Sequence, residues 1–215
     1  MVGKGVLLEC LDHPEIEEVL SIGRKAIELE HPKLVQKIHK DFSEFDSIKD
    51  ELAGYDAAYM CMGVSAAGMS EADYRRMTYD FAMALAGTLY ALNPDMTMTY
   101  VSGVGTDSTE KGRTMWARVK GKTENDLLQL GFKQAFMFRP GGILPTRGVQ
   151  PSSNLYRFMV RYFTWLLHLF KMLAPKSIVN SSQIGWAMIH VSKSGFGKKI
   201  LEPRDILEAA ENPKV

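Results

Sequence analysis

Short apolar runs alternate along the chain with longer segments of helical periodicity, and this alternation constrains the fold more than any other feature. It is typical of parallel strands that are joined by crossover helices. The runs are short and mostly apolar, as expected for strands that are covered on both faces. The predicted strands are Glu18–Ile22, Leu34–Ile38, Ala57–Met62, Thr97–Val101, Ala135–Arg139 and Lys199–Leu201. The sequence therefore predicts an α/β fold in which helices flank a parallel sheet.

Two long segments carry apolar residues at helical spacing, Ser70–Leu92 and Thr114–Leu130. Ser70 is followed three residues later by Asp73, which predicts a helix N-cap at Ser70. Further along, the stretch RPGGILPTRGVQPSSN contains three prolines and several glycines. We expect it to form a loop without regular structure that lies over an active site. The prediction is a single domain over residues 1–215, with a substrate-side segment at about residues 145–195.

Composition excludes several classes of protein. The net charge is +1, with 26 Lys and Arg against 25 Asp and Glu, so no extended field favours a nucleic acid partner. The cysteines Cys10 and Cys61 lie far apart, which signals neither a disulfide framework nor a thiolate zinc site. The five histidines show no ligand spacing, so we expect no metal. With no export signal visible at the N-terminus, the predicted location is cytoplasmic.

The chain opens on a glycine turn, GKG at residues 3–5, that leads directly into an apolar helix over Gly5–Leu11. In a doubly wound fold such a turn follows the central strand, and pyrophosphate lies at the N-terminus of the next helix. The strand is absent from the sequence, so we expect a gap between the strands that end near Ile22 and Met62. The expectation is that the natural polypeptide starts upstream. The alternative is a genuine truncation whose gap is closed by direct pairing of the flanking strands or by a partner chain.

Further landmarks follow the glycine turn in a fixed order. They are Ile22-Gly23-Arg24, Asp41-Phe42, Cys61-Met62-Gly63, Tyr100-Val101-Ser102, Trp116 to Lys120, and Arg139-Pro140-Gly141. In this order and spacing, over about residues 1 to 205, the sequence resembles the atypical and extended short-chain dehydrogenase/reductases, the NAD(P)-dependent epimerase-like group. The resemblance implies a Rossmann-like doubly wound sheet and a glycine loop G-x-x-G-x-x-G that ends at Gly3. It also implies an oxidoreductase or epimerase that acts on an unknown small molecule.

Arg24 is the residue that bears on the choice of cofactor. The residue at the end of the second strand distinguishes the two cofactors. A carboxylate there binds the ribose 2′-hydroxyl, whereas an arginine there binds a 2′-phosphate. Arg24 stands 21 positions after Gly3, and no acid lies nearby until Glu28. NADP(H) is therefore favoured over NAD(H). The alternative is that Arg24 is a solvated loop cation beside Lys25.

The resemblance assigns the other cofactor contacts. It places Asp41 on the adenine amino group and Phe42 against the adenine ring, although an N-cap region ahead of a helix at Ser43–Leu52 is an alternative for this pair. Strand alternation puts Met60 and Met62 on one face and Cys61 on the other, which favours core packing over soft-metal ligation. The remaining assigned positions are Gly3, Met62, Gly63, Lys120, Pro140, Gly141 and Ile143.

The family's catalytic group consists of a serine, a tyrosine and a lysine four residues after the tyrosine. The resemblance places Ser102 and Lys120 in these roles, but Trp116 stands at the tyrosine position. An indole N–H donates a hydrogen bond and cannot exchange a proton near neutral pH.

Three interpretations of this departure are open. In the first, the proton passes through another group, for which the candidates are Asp107, Thr106 and Tyr156. In the second, the protein is a catalytically weak NADP(H)-binding sensor or scaffold. In the third, Lys120 is a surface lysine on a basic face, and its place in the motif is accidental. The residues of that face are Arg113, Arg118, Lys120 and Lys122.

The segment Phe158–Leu173 combines an apolar helical pattern with one polar stripe. At about 1.5 Å per residue it would span roughly 24 Å, less than the ~30 Å hydrocarbon core of a membrane. We therefore expect no transmembrane helix. The segment is predicted to cover the substrate cleft or to form a homo-oligomer contact, and peripheral membrane attachment is the alternative.

Overall fold

Parallel strands and helices alternate along residues 1–148 and 178–211, which are the residues that the computed structural model describes. The helices are α1 (Val2–Asp12), α2 (Glu71–Arg75), α3 (Phe81–Leu92), α4 (Met115–Gln129), α5 (Ser181–Ser194) and α6 (Pro203–Glu211). The strands are β1 (Val19–Gly23), β2 (Leu34–Ile38), β3 (Ala57–Met60), β4 (Thr97–Val101), β5 (Gln134–Phe138), β6 (Gly142–Leu144), β7 (Ile178–Asn180) and β8 (Ile200–Leu201). A 3₁₀ helix covers Asp46–Leu52, and a π turn at Arg76–Asp80 joins α2 to α3. The six predicted strands are confirmed, with ends that differ by at most two residues.

All strand pairs of the described residues are parallel, and they form three sheets. The central sheet has the order β3-β4-β5-β8, while β1 pairs with β2 and β6 pairs with β7. Within the described part of the chain, β1 and β3 do not pair with each other. The predicted gap between these two strands is therefore confirmed, and direct pairing of the flanking strands is wrong.

Helices cover both faces of the central sheet, as a doubly wound fold requires. On one face, α1, α5 and α6 enclose an apolar cluster with β4 and β5, which includes Val6, Cys10, Val101, Phe138, Met188 and Ile206. On the other face, α3, α4 and the 3₁₀ helix enclose a second cluster, which includes Leu52, Met60, Leu85, Met98, Leu127 and Met137. The α/β fold with a Rossmann-like doubly wound sheet is thus confirmed.

Two glycines allow α1 and α5 to approach closely. A Cβ at Gly5 would lie 2.5 Å from the Cβ of Ser181, and a Cβ at Gly185 would lie 2.8 Å from the Cγ of Glu9. Contacts this short do not occur between real side chains, so larger residues at either position would force the helices apart. The close crossing fixes the position of α1 over the sheet.

The glycine- and proline-rich stretch after Arg139 contains a strand, so the expectation that it forms no regular structure is wrong. Residues Gly142–Leu144 form β6, which pairs in parallel with β7 at Ile178–Asn180. The partner strand lies more than 30 residues further along the chain. Glycine and proline indicate turns only locally along the sequence. They could not reveal this pairing, because the hydrogen bonds come from a distant segment.

The helix caps give one confirmed and one wrong prediction. The Ser70 side chain accepts a hydrogen bond from the Asp73 amide at 3.1 Å, which confirms the predicted N-cap. Asp41 does not cap the following helix, which begins at Asp46 and has Phe45 at its N-cap. Its carboxylate instead accepts hydrogen bonds from the amide and hydroxyl of Ser43, at 2.9 and 2.5 Å. This is a local turn between β2 and the 3₁₀ helix.

In the two described ranges, no helix is long and apolar enough to cross a membrane. The amphipathic segment predicted at Phe158–Leu173 lies outside the described residues. The alternatives of a cleft cover, a homo-oligomer contact and membrane attachment for this segment stay predictions.

Candidate functional site

The carboxyl ends of β3, β4 and β5 meet at one edge of the central sheet, because these strands are parallel neighbours. Met62 and Gly63 follow β3, Ser102 follows β4, and Pro140 and Gly141 follow β5. Ligands of open parallel sheets bind in the crevice outside this edge. The candidate site is therefore the carboxyl edge of the sheet together with the helices that begin there.

Helix α1 begins beside this edge at Val2, so Gly3, Lys4 and Gly5 are helical and the predicted glycine turn at residues 3–5 is wrong. A Cβ at Gly3 would lie 3.2 Å from the Cβ of Cys61, so the first turn of α1 packs against the end of β3. At Gly63 no atom lies within 4 Å of the position that a Cβ would take. Backbone at this point is therefore accessible to a ligand without an intervening side chain.

Lys120 projects from α4 onto the end of β4. Its Nζ donates hydrogen bonds to the carbonyl oxygens of Ser102 at 2.8 Å and Val101 at 3.4 Å, and it lies 5.8 Å from the centre of the Tyr100 ring. Burial lowers the pKa of Lys120 to about 8, and the Glu124 carboxylate opposes this shift. The ammonium lies against strand carbonyls, so the interpretation of Lys120 as a solvated surface lysine is wrong.

Ser102 is the start of a buried polar network. Its hydroxyl donates to the carboxylate of Glu124, which is completely buried. The same carboxylate accepts hydrogen bonds from the guanidinium of Arg139, with Nε at 3.0 and 3.1 Å from its two oxygens. Arg139 also contacts Glu202 at 3.3 Å and the hydroxyl of Ser108 at 2.6 Å. The Ser102 hydroxyl is thus turned into this network, while its carbonyl faces Lys120.

Trp116 lies at the first turn of α4, one helical turn before Lys120. Its indole ring packs on Gly105, where a Cβ would lie 3.6 Å from Cη2. Gly105 has a φ of +87°, so both its backbone conformation and its contact with the ring favour glycine. The loop after β4 therefore packs directly on the Trp116 side chain, which the resemblance places at the tyrosine position.

Asp107 and Thr106, the described candidates for the group that passes the proton, form hydrogen bonds within this loop. The Asp107 carboxylate accepts hydrogen bonds from the hydroxyl of Thr109 at 2.6 Å and the amide of Gly112 at 2.6 Å. These bonds lower the pKa of Asp107, which makes it a poor proton donor. The Thr106 hydroxyl donates to the carbonyl of Gly103 at 2.7 Å. Tyr156 lies outside the described residues.

Arg24 and Asp41 follow the ends of the β1–β2 pair. Arg24 is exposed directly after β1 and makes no ion pair with any residue in the described ranges. Asp41 is exposed after β2, and the hydrogen bonds from Ser43 lower the pKa of its carboxyl group. No described residue forms an ion pair with the Arg24 guanidinium at the end of β1, whereas the Asp41 carboxylate is partly used by its own turn.

The remaining predicted contact residues have mixed environments. Phe42 is buried at 8% exposure, and its ring packs on Phe45 and Phe81 at 5.6 and 6.2 Å. Met62 packs against the same cluster, while Cys61 packs on the opposite face, as the strand alternation predicts. Ile143 lies in β6 and packs against the α1–α5 side of the sheet. Phe42 is therefore mainly a core residue.

Sequence reasoning missed Glu124 as a member of this site. The signal was present, because Trp116, Lys120 and Glu124 follow one another at intervals of four on α4 and so share one face. In the described part of the chain, no group of three or more His, Cys, Asp or Glu could hold a metal ion.

Solved structures of other proteins share this fold. The chain superposes on a short chain dehydrogenase family protein from Francisella tularensis with a TM-score of 0.62 and 14% identity, covering 94% of this chain and 91% of that one. It superposes on the Bordetella bronchiseptica enzyme WbmF in complex with NAD+ with a TM-score of 0.65 and 10% identity, covering 98% and 73%. The chain therefore shares the fold of these two proteins, and the resemblance is confirmed at the level of the fold.

Two curated proteins share weak sequence similarity with the chain. Protein FMP52-2, mitochondrial, of Scheffersomyces stipitis is 28% identical over 135 residues, which cover 61% of this chain and 57% of that protein. Protein HTATIP2 of Rattus norvegicus is 25% identical over 147 residues, which cover 67% and 60%. The matches thus span less than two thirds of these relatives. No family model matches the sequence.

Proposed function

We propose that the carboxyl edge of the sheet binds NADP(H), and that the protein is an oxidoreductase or epimerase of the short-chain dehydrogenase type acting on a small molecule. The observation that carries the proposal is the position of Lys120 at the end of β4. The ammonium has three donors, and two of them reach the carbonyls of Val101 and Ser102. The third is available to a ribose hydroxyl at this edge.

The residues at the edge fit a dinucleotide. Gly63 is exposed with open space before it, and Gly3 lies in the first turn of a helix that begins beside it. A helix N-terminus presents free amides to a phosphate group. Arg24 supplies a free guanidinium for a 2′-phosphate. WbmF, which has the same fold, was solved with NAD+.

When bound, the nicotinamide would accept or donate a hydride. The protein's own residues orient it: Lys120 holds the ribose, Arg24 binds the 2′-phosphate, and the glycines at the strand ends let the backbone approach. Ser102 positions Lys120 through its carbonyl, since its hydroxyl is used by Glu124. Trp116 offers a hydrogen bond donor or a stacking surface beside the reacting centre and supplies no proton.

We expect NADPH to bind at least about tenfold more tightly than NADH, because a charge-assisted hydrogen bond contributes roughly 1.5–3 kcal/mol. Arg24→Ala should remove this preference by weakening NADPH binding alone. The measurement is the rise in melting temperature with each nucleotide, since ligand that binds only the folded state stabilises it. Lys25→Ala, which alters the neighbouring exposed cation, is the control. Equal protection by both nucleotides, or an unchanged preference in Arg24→Ala, would refute the assignment.

The second candidate function is an NADP(H)-binding sensor or scaffold, and the observation that favours it is Trp116. Asp107 and Thr106, the two described candidates for passing the proton, are engaged in hydrogen bonds of their own loop. The cytoplasmic location stays a prediction, and one relative is named as mitochondrial.

Turnover separates the two functions. We expect wild type to reduce common aldehydes and ketones far below about 1 s⁻¹, the lower end of ordinary enzyme rates. Trp116→Tyr should raise the rate about 10²-fold, because it restores a general acid four residues before Lys120. Trp116→Phe, which opens similar space without a hydroxyl, should give no gain. Wild-type turnover at ordinary rates, followed as NADPH consumption, would contradict the interpretation of this position.

A further inference from the structure

Lys120 and Glu124 carry opposite charges one helical turn apart on α4. Residues at this spacing share one face of a helix. Ser102 stands between their charged groups, at the point where β4 ends. Its carbonyl oxygen accepts a hydrogen bond from the Lys120 Nζ at 2.8 Å, and its hydroxyl donates to the Glu124 carboxylate. The ammonium and the carboxylate are therefore joined through a single residue of the sheet edge.

The charges of the buried network balance only when Lys120 is counted. Arg139 forms ion pairs with both Glu124 and Glu202, so one guanidinium faces two carboxylates. The Lys120 ammonium adds the second positive charge and brings the sum over these four groups to zero. The Glu124 side chain has no exposed surface, whereas that of Glu202 is 47% exposed. Glu124 is therefore the carboxylate whose charge water screens least.

The phenols beside Lys120 supply no charge. The Lys120 Nζ lies 5.8 Å from the centre of the Tyr100 ring, and Tyr74 of α2 lies close to Tyr100. Burial raises the pKa of both phenols, so both are neutral near pH 7. Burial also lowers the pKa of Lys120 to about 8, while the Glu124 carboxylate raises it. Among the described groups around Lys120, Glu124 is thus the one that opposes the cost of burying the ammonium.

We propose that Glu124 is a positioning residue for Lys120: its buried carboxylate holds Ser102 by the hydroxyl and supplies the negative charge that keeps Lys120 an ammonium ion. A neutral amine would have two N–H donors, which the carbonyls of Val101 and Ser102 would use. The ammonium has a third donor. Assigning this donor to a ribose hydroxyl rests on the proposed function, whereas the charge of Lys120 is measured without nucleotide. A failure to bind NADPH would therefore refute that function and leave the test of Glu124 intact.

The experiment is the titration of Lys120 in the full chain, followed by NMR of lysine labelled with carbon-13 at Cε. Lys120→Arg identifies the signal by its loss, and in wild type the midpoint should lie at about pH 8. Glu124→Gln keeps the size of the side chain and removes its charge. The midpoint should then fall by at least about one pH unit, because a neighbouring opposite charge shifts a pKa by about 1–3. In the control Glu202→Gln, which removes the exposed carboxylate, it should change by less than about 0.3.

A purely structural role of Glu124 predicts the opposite direction. If its loss only loosened the site, water would reach Lys120 and the midpoint would rise toward the ordinary range of lysine. Glu124→Asp separates the roles further, because it keeps the charge and shortens the reach to Ser102 and Arg139. Its midpoint should stay closer to that of wild type than to that of Glu124→Gln.

Folding of the variants is checked by melting before each titration. If Glu124→Gln is unfolded, the double variant with Arg139→Met takes its place, since it leaves no buried guanidinium unpaired. Its Lys120 midpoint should also fall below that of wild type. An unchanged or raised midpoint in the folded variant without the carboxylate would overturn the proposal, as would an equal fall in Glu124→Asp or Glu202→Gln.

Discussion

Gly121→Ala should destabilise the protein by at least about 3 kcal/mol, the upper end of ordinary overpacking costs. A Cβ at this position of α4 would lie 1.8 Å from the carbonyl oxygen of Asp107 and 3.2 Å from the amide nitrogen of Ser108. Both neighbours are backbone atoms, and the Asp107 amide is itself bonded to Ala117 at 3.0 Å. The loop that covers Trp116 would therefore have to leave its place on α4.

The matched control for this variant is Gly87→Ala in the middle of α3. At Gly87 nothing lies within 4 Å of an added Cβ, so only helix propensity changes. Alanine is preferred there by up to about 1 kcal/mol, and this variant should be neutral or more stable. Urea unfolding of both variants measures the difference. If Gly121→Ala were as stable as Gly87→Ala, the close packing of the loop on α4 would be wrong.

Glu124→Gln should cost about 3–5 kcal/mol, because it leaves the guanidinium of Arg139 without its buried counter-charge. The carboxylate of Glu124 is fully buried, and the Arg139 side chain is only 11% exposed. The substitution keeps the size of the side chain, so the loss reports charge and hydrogen bonding.

Glu202→Gln is the control for this prediction, since Glu202 contacts the same guanidinium from the surface. Its side chain is 47% exposed, and exposed ion pairs contribute about 0–1 kcal/mol. Unfolding free energies of the two variants should therefore differ by at least about 2 kcal/mol. Similar losses in both variants would contradict a buried network centred on Glu124.

The strands of the central sheet were predictable because they are short runs of mostly apolar or β-branched residues. In β4 all five residues are buried, so the run Thr97–Val101 differs sharply from the segments around it. The helix at α4 was predictable from periodicity within one residue at each end. Pairing between segments that are distant in sequence was not predictable, as β6 and β7 show. Their residues carry no local signal of each other.

The sequence predicted where residues of the candidate site lie along the sheet edge. It did not predict which hydrogen bonds their side chains form. Lys120 lies at the sheet edge as the resemblance implies, whereas the hydroxyl of Ser102 is turned to Glu124. This orientation depends on a carboxylate 22 residues away and an arginine 37 residues away, brought together only by the fold. The resemblance assigns Phe42 to the adenine ring; its side chain is buried, and the assignment stays a prediction.

Binding of NADP(H) at the carboxyl edge of the sheet is tested by titration of NADPH followed by NMR. We predict saturable shifts of the Gly63 and Gly103 amides and of the Trp116 indole N–H. The Trp186 indole should stay unchanged, because it packs on His13 after the far end of α1, at 5.6 Å between rings. Absence of shifts at saturating NADPH, or shifts at Trp186 without shifts at Gly63 and Trp116, would contradict the account.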